Sequence, residues 1–352
     1  MSRTRVALVH LVKLTLVRHS LTALAGLALV FLVSGQLSPY RDLQAAQVAY
    51  TLCATAGLTF MAGLSGQVSV GQGALMAVGA YTTALLIGHL HWALAVVLLC
   101  SAAVAGTVGL VLAVAASRLR GVYLATATLA LAVGLPALAD YPGLSGALQG
   151  ENGLTVNTSA PPAGLGPNFP LERWQAWVSG LCAVLTLWFL ANLQRSRYGR
   201  LMRAAQDDES AAALSGVRIA RLRVLAFVIA AACAGLGGGL LAWVNSLAAP
   251  GAFTLDLSIA LLTAAILGGV GSLAGAVWGS LFLVVISSWT SGLSSSNQLP
   301  ANVADNLPGA IYGVVLIVVM RGFPGGIQQG LRRLGARLAR RVLISRRTEG
   351  GR

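Results

Sequence analysis

An all-α polytopic membrane protein is the fold class this sequence predicts, and three observations predict it. Charged residues make up 10% of the 352 positions, against about 25% in a soluble domain. Hydrophobic residues make up 56% and the mean hydropathy is +0.77. The apolar residues also gather into runs such as WALAVVLLCSAAVAGTVGLVLAVAA (92–116), near the roughly 20 residues a bilayer-spanning helix needs.

Ten apolar segments follow from this pattern, at about 19–37, 43–63, 68–89, 92–116, 122–140, 174–193, 222–245, 257–270, 273–291 and 303–320. Together they define a single membrane domain over 1–352, with its core at 19–320, a polar loop at 194–221 and a basic tail at 321–352. The segment at 257–270 is short for a span, and 68–89 opens on a Gly-rich stretch, so both are expected to be broken or re-entrant. The first segment has a basic flank, but no A-x-A-like cleavage site follows it. It is read as an uncleaved helix.

The net charge of +14 does not point to nucleic acid. The bases are interleaved with spans and no aromatic-basic surface is visible. The positive-inside rule accounts for them. With the N-terminus in the cytoplasm, inner loops and tails hold 22 of the 24 bases, and only Arg41 and Arg173 face outward. That split requires an even number of spans and places both termini inside. The outer loop 141–173 is rich in Gly, Pro and Asn and is expected to contain only short structured pieces. Cys53, Cys100, Cys182 and Cys233 lie inside apolar runs as small packing residues. The four His show no metal-ligand grouping.

One stretch breaks the apolar pattern. RSRYGRLMRAAQDDESAAALSGVRIARLR (195–223) holds seven of the 24 bases and three of the ten acids. Ser196 is placed to cap a short helix, and Gly199 permits a close approach or a bend. Leu201, Ala204 and Ala205 then share a face. Asp207 is placed to cap a second helix, with Asp208 and Glu209 in its first turn. Alanines propagate it, and Gly216 sits where a left-handed cap is expected. The island reads as two short helices at the inner membrane face, with a smooth Ala-rich surface suited to docking a protein. An ordinary positive-inside loop is the alternative.

The stretch SGQVSVGQG sets Ser65, Gln67, Ser69 and Gln72 among four glycines. Buried polar side chains are costly in lipid unless they line a cavity or meet partners. Unwound backbone is tolerated only where protein or water covers it. Two Gln exceed what close packing needs, so this stretch is read as a partly unwound lining of a translocation route, with close packing as the alternative. GGVGSLAGAVWG (268–279) is read as packing through overlapping GxxxG motifs, with Ser272 a possible route contact. GLGGGL (235–240) is read as a tight helix crossing. Asp140, Asp256, Asp305 and Asn245 are placed at span ends, leaving no ionisable residue at a span centre. That pattern argues against a proton-coupled transporter. No Ser-His-Asp or paired-carboxylate arrangement points to an enzyme, and no Gly-x-x-x-x-Gly-Lys loop is present.

GRLMRAAQDDESAAALSGV resembles the coupling loop of ABC importer permeases, and ESAAALSG (209–216) is similar to the element that docks into the ATP-hydrolysing subunit. The closest subgroup is the M-type branched-chain amino acid permease. Four further stretches resemble that subgroup in order: GLSGQVSVGQGALMAVGAYTTALL (63–86), SRLRGVYLATATLAL (117–131), APGAFTLDLSIALLTAAILGGVGSLAGAVWGSL (249–281) and LPGAIYGVVLIVVMRGFPGGI (307–327). Departures at Gln72, Gly73, Leu75 and Met76, and in ALQGENGL of the outer loop, bear on the substrate more than on the mechanism.

The resemblance implies ATPase-coupling roles for Gly199, Arg200, Arg203, Asp207, Asp208, Glu209, Ala211, Ala212 and Gly216. It implies a second homologous permease subunit, two cytoplasmic ATP-binding subunits and an extracytoplasmic solute-binding protein as partners, with membrane lipid around the spans. This chain would bind no cofactor; ATP and Mg would be used by the partner subunits. The expected function is import of branched-chain or other aliphatic amino acids across a bacterial plasma membrane by alternating access. Urea, short amides or sugars, or a self-sufficient secondary transporter, are the alternatives.

Overall fold

The computed structural model describes residues 3–35, 38–90, 92–116, 122–139, 141–143, 148–157, 161–162, 164, 166, 169–296 and scattered positions from 310 to 330. Among them the main helices are α1 (Arg3–Ser34), α2 (Pro39–Ser65), α3 (Gln72–Leu90), α4 (Leu94–Ala116) and α5 (Val122–Ala139), then α6 (Leu171–Arg195), α7 (Arg197–Asp207), α8 (Glu209–Leu214) and α9 (Ile219–Asn245), and finally α10 (Leu255–Gly268) and α11 (Leu273–Ser296). Seven stretches are long and apolar enough to cross a membrane, and Gln72–Gly88 and Ala125–Leu135 are shorter apolar helices. Nine of the ten expected segments are therefore helices, and the chain is a polytopic all-α membrane protein. Most of the expected tenth segment (303–320) and of the basic tail, the turn bearing Arg118 and Arg120, and Asp140 and Asp305 lie outside the described residues.

Helix boundaries follow local chemistry. Pro39 opens α2, where its missing N–H costs nothing. Gly66 closes it with φ +65, and its N–H returns to the Ala62 carbonyl; this left-handed conformation carries no penalty for glycine.

Helices α2 and α9 form the centre of the bundle. α9 lies against α2, α3 and α4, while α6 lies on α2 and carries α1 on its far side. The α1–α6 seam is partly polar: Trp177 donates to Ser34 at 2.6 Å, Trp188 to Ser20 at 3.3 Å, and His19 meets Asn192 at 3.0 Å. Trp243 and Phe60 are wholly buried. Glycines allow backbones to meet. Gly238 on α9 faces the Met76 carbonyl of α3, Gly63 on α2 faces Gly271, and Gly268 on α10 faces Gly275 on α11. The packing reading of the GLGGGL and GGVGSLAG stretches is therefore correct.

Charge separates along the bundle. Arg173 reaches Asp42 at 3.5 Å, so the starts of α2 and α6 share one end with Arg41. The seven arginines between Arg195 and Arg223 gather at the opposite end, beside the close of α2.

Two chain breaks penetrate the bundle. The stretch from Gly66 to Gly71 is non-helical, yet α3 begins beside the middle of α2 and α9, because Gln72 Nε2 donates to the carbonyls of Ala54 (3.3 Å) and Ala230 (3.1 Å). About 16 Å of helix separates Ala54 from Ser65 at roughly 1.5 Å per residue. Six extended residues span that rise, at about 3.3 Å each. The second break follows α9. Residues Leu247–Ala248 pair antiparallel with Leu154–Thr155 of the loop after α5, forming a two-stranded ladder extended by Val156 N–H donating to the Ser246 carbonyl at 2.9 Å. The ladder satisfies backbone groups of chain entering the bundle. α10 then starts at the depth of α3: Ser258 Oγ accepts from Gly73 N–H at 3.0 Å. Both segments expected to be broken or re-entrant thus begin mid-bundle, with their N-termini meeting.

Candidate functional site

The first candidate site is the junction where α3 and α10 begin. Gln72 is completely buried, and its Nε2 bridges α2 and α9 through the two carbonyls already named. Its Oε1 accepts no bond from a described residue; Thr55 and Thr59 Oγ, one turn apart on α2, are buried and likewise unpartnered. Ser69 is completely buried, and its Oγ accepts from Gly71 N–H at 3.3 Å. Thr128 of α5 accepts from Val70 N–H at 3.0 Å. The unwound backbone is therefore held by its own Ser69 and by Thr128 of α5, while Ser258 of α10 holds the first turn of α3, so these backbone groups are covered by protein.

Ser65 and Gln67 sit lower, at the close of α2. The Ser65 hydroxyl donates to the Met61 carbonyl at 2.7 Å and lies 3.3 Å from Gln67 Oε1. Ser272 is not brought to the junction. It starts α11, its Oγ accepting from Gly275 N–H at 3.3 Å. Ser258 and Thr128 were missed by sequence reasoning, and Asp256 was placed only at a span end. Ser258 is completely buried; an isolated Ser inside an apolar run was the available signal. Asp256 lies two residues before Ser258 and is exposed. It stands in the first turn of α10, at that helix's end as expected, but this end lies at the level of the α3 N-terminus and not at an end of the bundle. Composition sets the span by its apolar run, whereas the depth of α10 is set by the strand ladder that precedes it.

The second candidate site is the platform built by α7 and α8 at the basic end. Ser196 caps α7, accepting from Gly199 N–H at 3.4 Å. Gly199 is buried where a Cβ would strike the last carbonyls of α6. Arg200 and Arg203 donate to the carbonyls of Arg195 (2.8 Å) and Gln194 (3.0 Å), tying α7 to the end of α6. The cap of α8 is Asp208, not Asp207: Asp208 Oδ1 accepts from Ala211 N–H at 3.0 Å, while Asp207 is the exposed last residue of α7. α7 runs further than the capping signal implied. Its inward face also differs, with Met202 fully buried and Ala204 exposed.

Ala212 anchors α8, and Glu209 pairs with Arg223 of α9 at 2.9 Å. Gly216 closes α8 with φ +81, and Val217 N–H returns to the Ala212 carbonyl at 3.1 Å. Leu64, Ser65, Met202, Gln206, Leu222 and Arg223 line a small cleft where α7 meets α2 and α9. The outward face presents Ala211, Ala213 and a Leu214 side chain that is 91% exposed.

Comparison with known proteins gives one family, described as "Branched-chain amino acid transport system / permease component", over residues 43–320. The chain is 32% identical over 232 residues to the high-affinity branched-chain amino acid transport system permease protein LivM of Escherichia coli, covering 60% of this chain and 55% of that protein. It is 34% identical over 149 residues to the corresponding LivH protein of Salmonella typhimurium, covering 42% of this chain and 46% of that one. With BraD of Pseudomonas aeruginosa the identity is 38% over 97 residues, covering 28% of this chain and 31% of that protein. The chain thus spans about half the length of LivM and LivH. No solved structure matches.

Proposed function

Because this chain belongs to the family of branched-chain amino acid transport system permease components, we propose that it is the permease subunit of an ATP-driven ABC importer for branched-chain or other aliphatic amino acids. Its partners would be a second, homologous permease subunit, two cytoplasmic ATP-binding subunits and an extracytoplasmic solute-binding protein. The chain would sit in the bacterial inner membrane with both termini in the cytoplasm. ATP and Mg would be bound by the ATPases alone.

The observation that carries this reading is the α7–α8 platform. A six-residue helix is too short to persist in isolation. Here it is capped at both ends, ion-paired to α9 and anchored by Ala212, yet it turns an uncovered leucine outward. Such construction suits a rigid knob seated in another protein's cleft. The compositional argument against proton coupling loses its force with Asp256 at mid-depth, so the reading rests on the platform and the family.

Replacing Leu214 with Glu tests it. Burying a leucine contributes about 2 kcal/mol, so its loss should weaken ATPase docking about thirtyfold. We expect L214E to reach the membrane at the wild-type level but to lose co-purification with the ATPase subunits and ATP-dependent leucine uptake. Unchanged co-purification and uptake would remove α8 from the coupling role.

A further inference from the structure

We propose that Asp256 lines the solute route at the centre of the membrane and takes the ammonium group of the transported amino acid. The inference rests on the function proposed above and adds to it a binding residue.

Depth comes first. Ser258 bonds Gly73, and the neighbouring Gln72 bonds Ala54 and Ala230. Asp256 lies about 3 Å further along the α10 axis, away from the basic end. Arg223 marks the basic face on α9. The helix from Arg223 to Ala230 rises about 10 Å, which puts Asp256 about 14 Å above that face. Half the hydrocarbon core is about 15 Å. The α10 side agrees: Gly268 is beside Gly275 near the basic end, and about 18 Å of helix separates it from Asp256.

Exposure and charge come next. Asp256 is exposed, as are Gly251, Ala252 and Thr254 beside it. Space is open where a Cβ on Gly251 would stand, and Thr254 makes no side-chain capping bond to α10. No described base pairs with Asp256; the ion pairs among described residues are Arg173–Asp42 and Arg223–Glu209, at opposite ends. The structural explanation for the acid is its place in the first turn of α10, worth about 0.3–1 kcal/mol through the helix dipole. A carboxylate facing lipid at this depth costs about 2.5–3.5 kcal/mol. The dipole does not cover that cost, so the carboxylate itself meets water or a cation instead of lipid, although Ile259 one turn further along α10 is apolar and 45% exposed.

A cation meeting this carboxylate would come from outside the described residues, and the surroundings favour a solute over a partner's base. Both chain breaks reach this level, and broken helices at membrane depth belong where the backbone lines a cavity. An aliphatic amino acid brings one ammonium group. Urea and sugars bring none, so the carboxylate also separates the substrate classes.

The experiment uses the complete transporter in membrane vesicles, with Cys53, Cys100, Cys182 and Cys233 replaced by Ala. Cysteine is introduced by Asp256→Cys or, as control, by Val111→Cys. Val111 is 69% exposed and sits near Gly109, which touches Ala231 at the same depth. A membrane-impermeant cationic methanethiosulfonate is the probe. We expect D256C to react at least tenfold faster than V111C. In the native-cysteine background, Asp256→Asn should lower leucine uptake at least tenfold with subunit co-purification unchanged, and Asp256→Glu should retain part of it. D256C as inert as V111C, or wild-type uptake by D256N, overturns the proposal. Reactivity of D256C that appears only when the second permease is omitted also overturns it, since the carboxylate then faces that subunit. Absence of leucine uptake in the wild type sinks the function proposed above and the ammonium with it, whereas thiol reactivity reports the route position independently of substrate.

Discussion

Consider alanine placed at two glycines that face the central helix seam. On α9, Gly238 meets the Met76 backbone, where an added Cβ would overlap the carbonyl oxygen of α3. On α4, Gly106 faces α9 with the Ala232 methyl 3.6 Å from the position of a Cβ, which is ordinary contact. Both substitutions gain about 1 kcal/mol of helix propensity. Only Gly238→Ala also incurs overpacking, about 1–3 kcal/mol, and the obstacle is backbone that cannot rotate aside. The propensity gain cancels between the two variants, so their difference isolates the steric cost. Equilibrium unfolding in mixed micelles titrated with SDS should find G106A at or slightly above wild type. It should find G238A about 2 kcal/mol below G106A. Indistinguishable variants, or G238A the more stable, would refute the claim that the α3–α9 seam is set by backbone contact.

Two further outcomes follow from the sites. Asp208→Ala should cost α8 about 1 kcal/mol and speed hydrogen exchange across 209–216, whereas Asp207→Ala should change exchange there by less than the equivalent of about 0.5 kcal/mol. Gln72→Leu removes two interhelical bonds worth about 0.6 kcal/mol each and also removes a buried, unpartnered Oε1 that costs about 1 kcal/mol or more. Stability should therefore move by less than about 1 kcal/mol while leucine uptake falls; uptake equal to wild type would make Gln72 a packing residue alone.

The spans were legible because lipid leaves the chain little choice: about 20 apolar residues must form a helix. The break at 66–71 was legible for a related reason, since Ser, Gln and Gly together are poor lipid-facing residues. Three features were not. The register of the second cap was off by one residue, because two aspartates stand side by side and residue type alone does not choose between them; the fold uses Asp208, whose Oδ1 accepts from Ala211 N–H. Ser272 stands in a glycine block where a helix start and a route contact look alike. The depth of Asp256 depends on Leu247–Ala248 finding Leu154–Thr155, a pairing between two short strands nearly a hundred residues apart. Hydropathy windows contain no such information.

The same two helices serve both sites. Met202 of α7 and the cleft beneath it sit against the close of α2 and the start of α9. Glu209 ties α8 to α9 through Arg223. Further along the same helices, the carbonyls of Ala54 and Ala230 hold Gln72, and Gly73 in the next position holds Ser258. A load applied at Leu214 thus enters α9 through an ion pair and α2 through packing, and both helices hold one amide group near their middles. If α2 and α9 move together, Gln72 rides with them and the junction is unchanged. If they separate, even by about 1 Å, the bonds of 3.1 and 3.3 Å cannot both stay within the hydrogen-bond range, and the α3 N-terminus keeps its tie to only one of the two helices. The α10 N-terminus is then held to it only by Ser258. Separation of α2 from α9, and not their joint tilt, is therefore the movement that the two Gln72 bonds resist.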